Sequence, residues 1–373
     1  MTQILPSTVL QFAAGDPSLF VEFKDYWNQY RSENGPKGKT YTFSTKDQNG
    51  NPISFAEKES LLNAHLKREI GKRSGVDFSS APLETLVSHP LVVYNTFAVV
   101  DQLIDAVLPD TITDSIGYFC DVRTAGYGDS FRFLVRPRDL FAVSKAGRLS
   151  MKTAEVKKQF DGEVTVIPEM HQLAVGVSLY RVLCGLDSLA FLVAKAIKSM
   201  ESAMNREIYD IFQAQMVALS SSPAASALQI SGYSQASLTK LAQRVQAWSG
   251  AAPIILGTKV ALASILPDDA NYRYDLVSDF VQIGFMRHAF GMDIFELPQI
   301  AAWETFGSTY LSDSYIYIIA PGTDKLIKLC LEGSTTSYTN NTFEHATLMQ
   351  STNIWKSWKA AVVTSSLGAV IAL

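Results

Sequence analysis

The chain has 373 residues, 47% of them hydrophobic, enough to bury a large core and to divide into two or three domains. A formal net charge of −4 and an isoelectric point near 5.8 exclude a chain-wide electrostatic pull toward nucleic acid, so any contact with DNA would be local. Three widely spaced cysteines, Cys120, Cys184 and Cys330, make neither a disulfide framework nor a metal knuckle and read as buried, inert thiols.

The opening stretch MTQILPSTVLQFAAGDPS lacks the basic flank, apolar run and cleavage site of a secretory signal, so the expectation is a protein that stays in the cytosol of the cell making it. Asp16 before Pro17 supplies an N-cap and a proline at the first helical position. Leu19, Phe20, Phe23, Trp27 and Tyr30 then recur at helical spacing, which predicts a helix over 17–32 stopped by Asn34-Gly35-Pro36. A turn-rich stretch follows, with a small hairpin expected about Asn49-Gly50. Ser54 and Glu57 form a capping-box pattern, and Leu62, Leu66 and Ile70 line one helical face as far as Gly71. A third helix, over about 90–107, carries Val93, Phe97, Val100, Ile104 and Val107 on one stripe and should end at Pro109. Residues 1–113 thus read as a helical arm with no compact core of its own.

From Gly128 to Pro168 the pattern changes. Phe131, Phe133 and Val135 point one way while Arg132 and Arg136 point the other, the period of a strand. The apolar face is thin, and the charges are dense and of both signs: Arg132, Arg136, Arg138, Lys145, Arg148, Lys152, Glu155, Lys157, Lys158, Asp161 and Glu163. We read residues 114–185 as an extended two-stranded loop followed by a strand at HQLAVGVSLYRVL. The strongest element comes next, a helix from 187 to about 219. Leu189, Leu192, Val193, Ala196, Ile197, Met200, Met204, Ile208, Ile211 and Leu219 form its apolar stripe, with Lys195, Lys198, Glu201, Arg206 and Asp210 elsewhere on the wheel. At about 1.5 Å per residue it is roughly 50 Å long. The stripe drifts instead of keeping a heptad, which favours one helix across a sheet over a coiled-coil dimer. We assign this element residues 186–222, up to the break at Pro223.

Residues 223–335 read as a mixed α/β unit. Ser237 caps a short helix with Leu238, Leu241, Val245 and Trp248 on its face, APIILG has the character of a covered central strand, and two β-rich runs about Pro321-Gly322 suggest a hairpin. Residues 336–373 read as final strands. The apolar stretch 360–373, interrupted by Thr364, Ser365 and Ser366, is too short to span a bilayer and is expected as a buried strand.

No chemistry emerges from this layout. His65, His89, His171, His288 and His345 include no pair at metal-ligand spacing. Gly126-Tyr127-Gly128 begins like a dinucleotide loop but has Phe131 where the third glycine belongs and leads into a strand. Asp268-Asp269 after Pro267 reads as a solvated turn. The stretch SGYSQAS approaches a nucleophile elbow, with Ser234 as nucleophile and Asp293 and His345 completing a hydrolase triad in the order Ser, Asp, His. Ala236 replaces the last glycine, however, and helix capping by Ser234 is the simpler reading.

The order of elements resembles the major capsid protein of tailed double-stranded DNA bacteriophages, the Hong Kong 97 fold. The resemblance is carried by the loop 128–168, by HQLAVGVSLYRVLCGLDSLAFLVAKAIKSMESAMNREIYDIF, by LAQRVQAWSGAAPIILGTKVALASIL and by GFMRHAFGMDIFELP. Together they cover about two thirds of the chain, from about residue 115 onward. The resemblance implies an α+β fold with an N-terminal arm, an extended β-hairpin loop, a long spine helix, and peripheral and axial domains. It implies that Arg132, Arg136, Arg138, Lys145, Arg148, Lys152, Glu155, Lys157 and Lys158 of the loop contact a neighbouring subunit, where paired charges of both signs are useful. It further implies a structural protein of the virion, made in the host cytoplasm, with no cofactor, no metal, no catalytic residue and no membrane. Copies would form hexamers and pentamers of an icosahedral shell that encloses phage DNA non-specifically, beside scaffolding, portal and decoration proteins. An encapsulin-type compartment is the alternative within the same fold. Lys145, Lys152, Asn340, Asn341 and Asn353 are available for the crosslink some relatives form, but no pattern singles out a pair.

Overall fold

A capping box starts one helix of the first hundred residues, and tertiary packing carries another past a proline expected to end it; Asp16, the expected cap of the first, lies outside the described residues. In the computed structural model the structure is described for residues 17–34, 41–46, 52–78, 80–116, 120–136, 141, 143, 145, 158–159, 161–218, 226–266, 284–301, 308–320, 325–344, 349–363 and 368–373. Helix α1 (Pro17–Asn34) buries Leu19, Phe20, Phe23, Tyr26 and Trp27. Helix α2 (Phe55–Ser74) opens with the expected box: the Ser54 amide donates to Glu57 Oε2 at 2.9 Å and the Glu57 amide to Ser54 Oγ at 3.3 Å. Hydrogen bonding from the Ser54 amide, and then from its hydroxyl, holds the Glu57 carboxyl below its ordinary range. The helix does not stop at Gly71 but continues to Ser74, where Gly75 takes the left-handed cap (φ 66). Gly71 is needed for another reason, since a Cβ there would lie 2.9 Å from the Val76 carbonyl oxygen. Asn49-Gly50 lies outside the described residues; Lys46 and Pro52 on either side form a bridge.

A short α3 (Leu83–Ser88) precedes α4 (Pro90–Ile116), which passes through Pro109 instead of ending there. The turn beyond the proline has its own partners. Trp27 Nε1 donates to Thr111 Oγ1 at 2.9 Å, Lys24 pairs with Asp110, and Ile112 is fully buried, so packing against α1 outweighs the lost backbone bond. Among the described residues α4 is the one helix long and apolar enough to cross a bilayer, yet 67% of that window is buried inside the protein.

The strands form two main sheets and a ribbon. The first sheet has the order β1 (Cys120–Ala125), β10 (Ile327–Glu344), β11 (Met349–Val362), β4 (Glu169–Val177), with β1 parallel to β10 and the other pairs antiparallel. The ribbon is β2 (Phe131–Val135) against β3 (Gly162–Val166). The second sheet has the order β5 (Gln229–Ser231), β12 (Gly368–Ala372), β9 (Tyr315–Ile319), β6 (Ile254–Gly257), β8 (Met292–Glu296), β7 (His288–Ala289). The two runs about Pro321-Gly322 are therefore not a hairpin: β9 and β10 belong to different sheets. Nor is 360–373 one strand, because β11 ends at Val362 in the first sheet and β12 lies in the second. Helix content at SLYRVL also differs from expectation, as Leu179–Leu183 is a short helix, α5.

The spine helix, α6 (Leu189–Ala218), spans about 45 Å and buries Val193, Ile197, Met200, Met204, Ile208, Phe212 and Met216. Its middle is fixed to the first sheet through Glu207, which accepts from Trp358 Nε1 at 2.8 Å and from the Ala360 amide at 3.0 Å. Its end reaches the second sheet, where Phe212 meets Tyr317 edge-on at 4.9 Å. Glu201, placed by periodicity on the polar side, is buried and paired with Lys198 at 3.0 Å. The spine shares one core with α1, α2 and α4, so the arm is built into the body of the fold. The second sheet is covered on both faces: Leu256, Tyr317, Ile319 and Val370 face the spine. Ile255, Ile316, Ile318 and Ile371 face α7 (Gln235–Ser249) and α8 (Lys259–Ala263). Trp248 is not on the packed face of α7 but 65% exposed near its end. Cys184 is exposed, whereas burial pushes the Cys120 and Cys330 thiols up to about 12.

Candidate assembly surface

The ribbon has two unlike faces. On its inner face Phe131, Phe133 and Val166 are buried with Cys330 of β10 and Val363, forming a small core separate from the two large ones. Two cations cover the Phe133 ring: the Arg123 guanidinium lies 4.5 Å and Lys328 Nζ 5.9 Å from its centroid, and Asp121 pairs with both at 3.1 and 3.5 Å. The base of the ribbon thus finds its apolar partner in its own chain, contrary to the sequence expectation. The partner strands are about 200 residues further along, beyond the reach of local pattern.

On the outer face Leu134 is exposed beside Arg132 and Glu163, which pair across β2 and β3 at 3.5 Å, and Ile167, just past β3, is exposed as well. Of the charged residues singled out by sequence, Arg132, Arg136, Lys145 and Lys158 are exposed, while Arg138, Arg148, Lys152, Glu155 and Lys157 lie outside the described residues. Two apolar side chains of the same segment, Phe141 and Val143, are also exposed, the latter by 98%. An exposed ion pair such as Arg132–Glu163 adds little stability. The outer face is therefore a surface with free apolar groups and mixed charge, suited to burial against another protein.

Sequence reasoning missed a polar cluster under the first sheet. Asp105 of α4 accepts from the Thr335 amide at 2.7 Å, from Thr335 Oγ1 at 2.5 Å and from Lys356 Nζ at 2.8 Å. One turn earlier Asp101 is 8% exposed, and burial pushes its carboxyl up to about 7, against the opposing hydrogen bond from Ser337. The signal was available: two acids four apart in the most apolar helix of the chain require partners.

The described members of the candidate triad, Ser234 and Asp293, are not brought together. Ser234 is the N-cap of α7, its Oγ accepting from the Ser237 amide at 3.1 Å, so the cap is Ser234 and not Ser237. Asp293 on β8 contacts His288 at 2.6 Å, and His345 lies outside the described residues. Ser234 follows β5 and Asp293 sits on β8, four strand spacings away, about 19 Å at about 4.8 Å each. Asp268-Asp269 is outside the described residues, and among those described no three His, Cys, Asp or Glu side chains are grouped to hold a metal.

Residues 63–366 match the model of the family described as "SPbeta prophage-derived putative capsid protein YonB". The chain belongs to this family. It is a structural major capsid protein, in agreement with the resemblance drawn from its sequence. The matched stretch of the capsid protein runs from α2 past β11 and takes in the ribbon, the spine and most of both sheets. No curated protein sequence matches it. Among solved structures it is similar to the mature capsid of bacteriophage PhiM1, with a TM-score of 0.42 and 10% identity over 68% of this chain and 85% of that one. It is similar to the capsid of a native GTA particle, with a TM-score of 0.48 and 13% identity over 70% and 90%. It is also similar to a virus-like particle from Pyrococcus furiosus, with a TM-score of 0.39 and 10% identity over 72% and 97%.

Proposed function

We propose that this capsid protein assembles with copies of itself into hexamers and pentamers that close as an icosahedral shell around phage DNA, and that the ribbon is the surface by which each subunit overlaps the next. The observation that carries this reading is the two-faced ribbon, seated at its base on its own subunit while presenting Arg132, Leu134, Arg136 and Ile167 outward. An isolated two-stranded hairpin is marginal in water, so an anchored base and an unsatisfied outer face fit a part completed by a neighbour. In this reading the first sheet and ribbon form the peripheral part of the subunit, the second sheet forms its axial part, and Arg138, Lys145, Arg148, Lys152, Glu155, Lys157 and Lys158 extend the contact. Synthesis in the host cytoplasm, meeting with scaffolding, portal and decoration proteins, and non-specific contact with packaged DNA follow from the same role. The work of the chain is structural and not catalytic, and the family match favours a phage capsid over an encapsulin-type compartment. Electron microscopy of the purified protein tests the proposal: shells or capsomer rings are expected. Replacing residues 130–167 by a Gly/Ser linker should abolish closed shells while leaving a folded subunit of lower thermal stability, because Cys330 and Val363 lose their cover. Normal shells from the linker variant would overturn it.

A further inference from the structure

The turn that launches the ribbon rests on an irregularity in β10. Between Glu332 and Thr336 the strand advances four residues while β11, from Ser357 to Trp355, advances two. Bulges of this kind re-aim what is built on them. Gly333 sits in the bulge with φ 62, and a methyl placed on it would overlap the Tyr127 ring, which lies directly over it. Beside it the Gly128 amide donates to Glu332 Oε1 at 2.8 Å. Tyr127 and Gly128 form the turn between β1 and β2, so this turn is seated on the bulge by a ring and a hydrogen bond. From below, Lys356 Nζ donates to the Gly333 carbonyl at 2.7 Å and to Asp105 at 2.8 Å, and Asp105 holds Thr335 through both its amide and its hydroxyl. Lys356 is buried, and a buried charge pair of this kind contributes specificity of geometry more readily than net stability.

We infer that the bulge is a mount that sets the direction in which the ribbon leaves the subunit, with Gly333, Glu332 and the Asp105–Lys356 pair as positioning residues for assembly. A line of contacts runs from helix α4 through Asp105 and Lys356 to the bulge, and from there through Tyr127 and Gly128 to the ribbon. Gly333→Ala adds both backbone strain and the overlap with Tyr127, so it displaces the turn while leaving the core untouched. The inference rests on the ribbon being the assembly surface, and the experiment separates the two. Spin labels at Lys158→Cys in the ribbon and Lys195→Cys on the exposed side of the spine, in a Cys184→Ser background, report the ribbon's direction in the soluble subunit by pulsed electron paramagnetic resonance. Gly333→Ala should shift and broaden the distance distribution and abolish shells, and Gly333→Ala with Tyr127→Ala should move the distribution back toward wild type. Glu332→Ala, which removes a bond at the surface only, should broaden the distribution even where Gly333→Ala does not fold. An unchanged distribution in Gly333→Ala or, if that variant does not fold, in Glu332→Ala overturns the mount. A shifted distribution with normal shells leaves the mount standing and refutes the assembly role of the ribbon.

Discussion

Replacing Asp101 by asparagine keeps the shape of the side chain and removes its ability to ionise. In the folded protein the Asp101 carboxyl is raised from 3.8 to about 7, chiefly by burial, so the fold retains a proton that the unfolded chain has lost. With the folded value above the unfolded one, this group's contribution to stability declines as pH rises between about 4 and 7 and is constant above that. The difference of about three pH units corresponds to about 4 kcal/mol at about 1.4 kcal/mol per unit. Urea unfolding of the soluble subunit, followed by tryptophan fluorescence from pH 4.5 to 8, should show the wild type losing stability relative to Asp101→Asn across this window. The variant should be the more stable protein at pH 8, by up to about 4 kcal/mol. Curves for the two proteins that stay parallel across the whole range would refute the reasoning.

Met204 is fully buried on the spine, so Met204→Asp should bury an unpaired carboxylate and prevent soluble expression, while Lys195→Gln on the exposed side should fold with an unchanged circular-dichroism spectrum. Lys198 is not an equivalent control, because an acid there would face the buried Glu201. Ser234→Ala should lower stability by about 1 kcal/mol through loss of the α7 cap and leave shell assembly intact. An esterase activity abolished by that substitution would contradict the structural role.

What could be read from the sequence was local. The Ser54–Glu57 box, the apolar stripe of α6 as far as Ile211 and the covered strand at Ile254–Gly257 each depend on residues within a few turns of one another, and each was found where expected, while Leu219, the last residue of the expected stripe, lies outside the described residues. The two-residue connection between β7 and β8, Phe290 (φ 52) and Gly291 (φ 76), is equally local. Errors arose where a distant partner overrode a local signal. Pro109 fails to end α4 because α1 holds the following turn, and Glu201 is buried despite its charge because Lys198 reaches it. The alternation Phe131, Phe133 was recognised as a strand face, but nothing nearby in sequence revealed Cys330 and Val363 as its cover. The same limit made β9 and β10 look like a hairpin, since adjacency along the chain says nothing of which sheet each strand joins. The candidate surface was legible as an unusual run of charge, and its division into a seated base and a free outer face was not.

The chain passes between its two sheets three times: from β4 through the spine to β5, from β9 to β10, and from β11 to β12. Neither sheet can be cut out as a continuous length of polypeptide, and no single peptide bond is the sole link between them. A load applied to one sheet is divided among three covalent tethers, one of them a stiff strut about 45 Å long, instead of concentrating at one flexible joint. A nick in one tether leaves two intact, and a subunit built this way behaves under tension as a braced plate and not as two beads on a string.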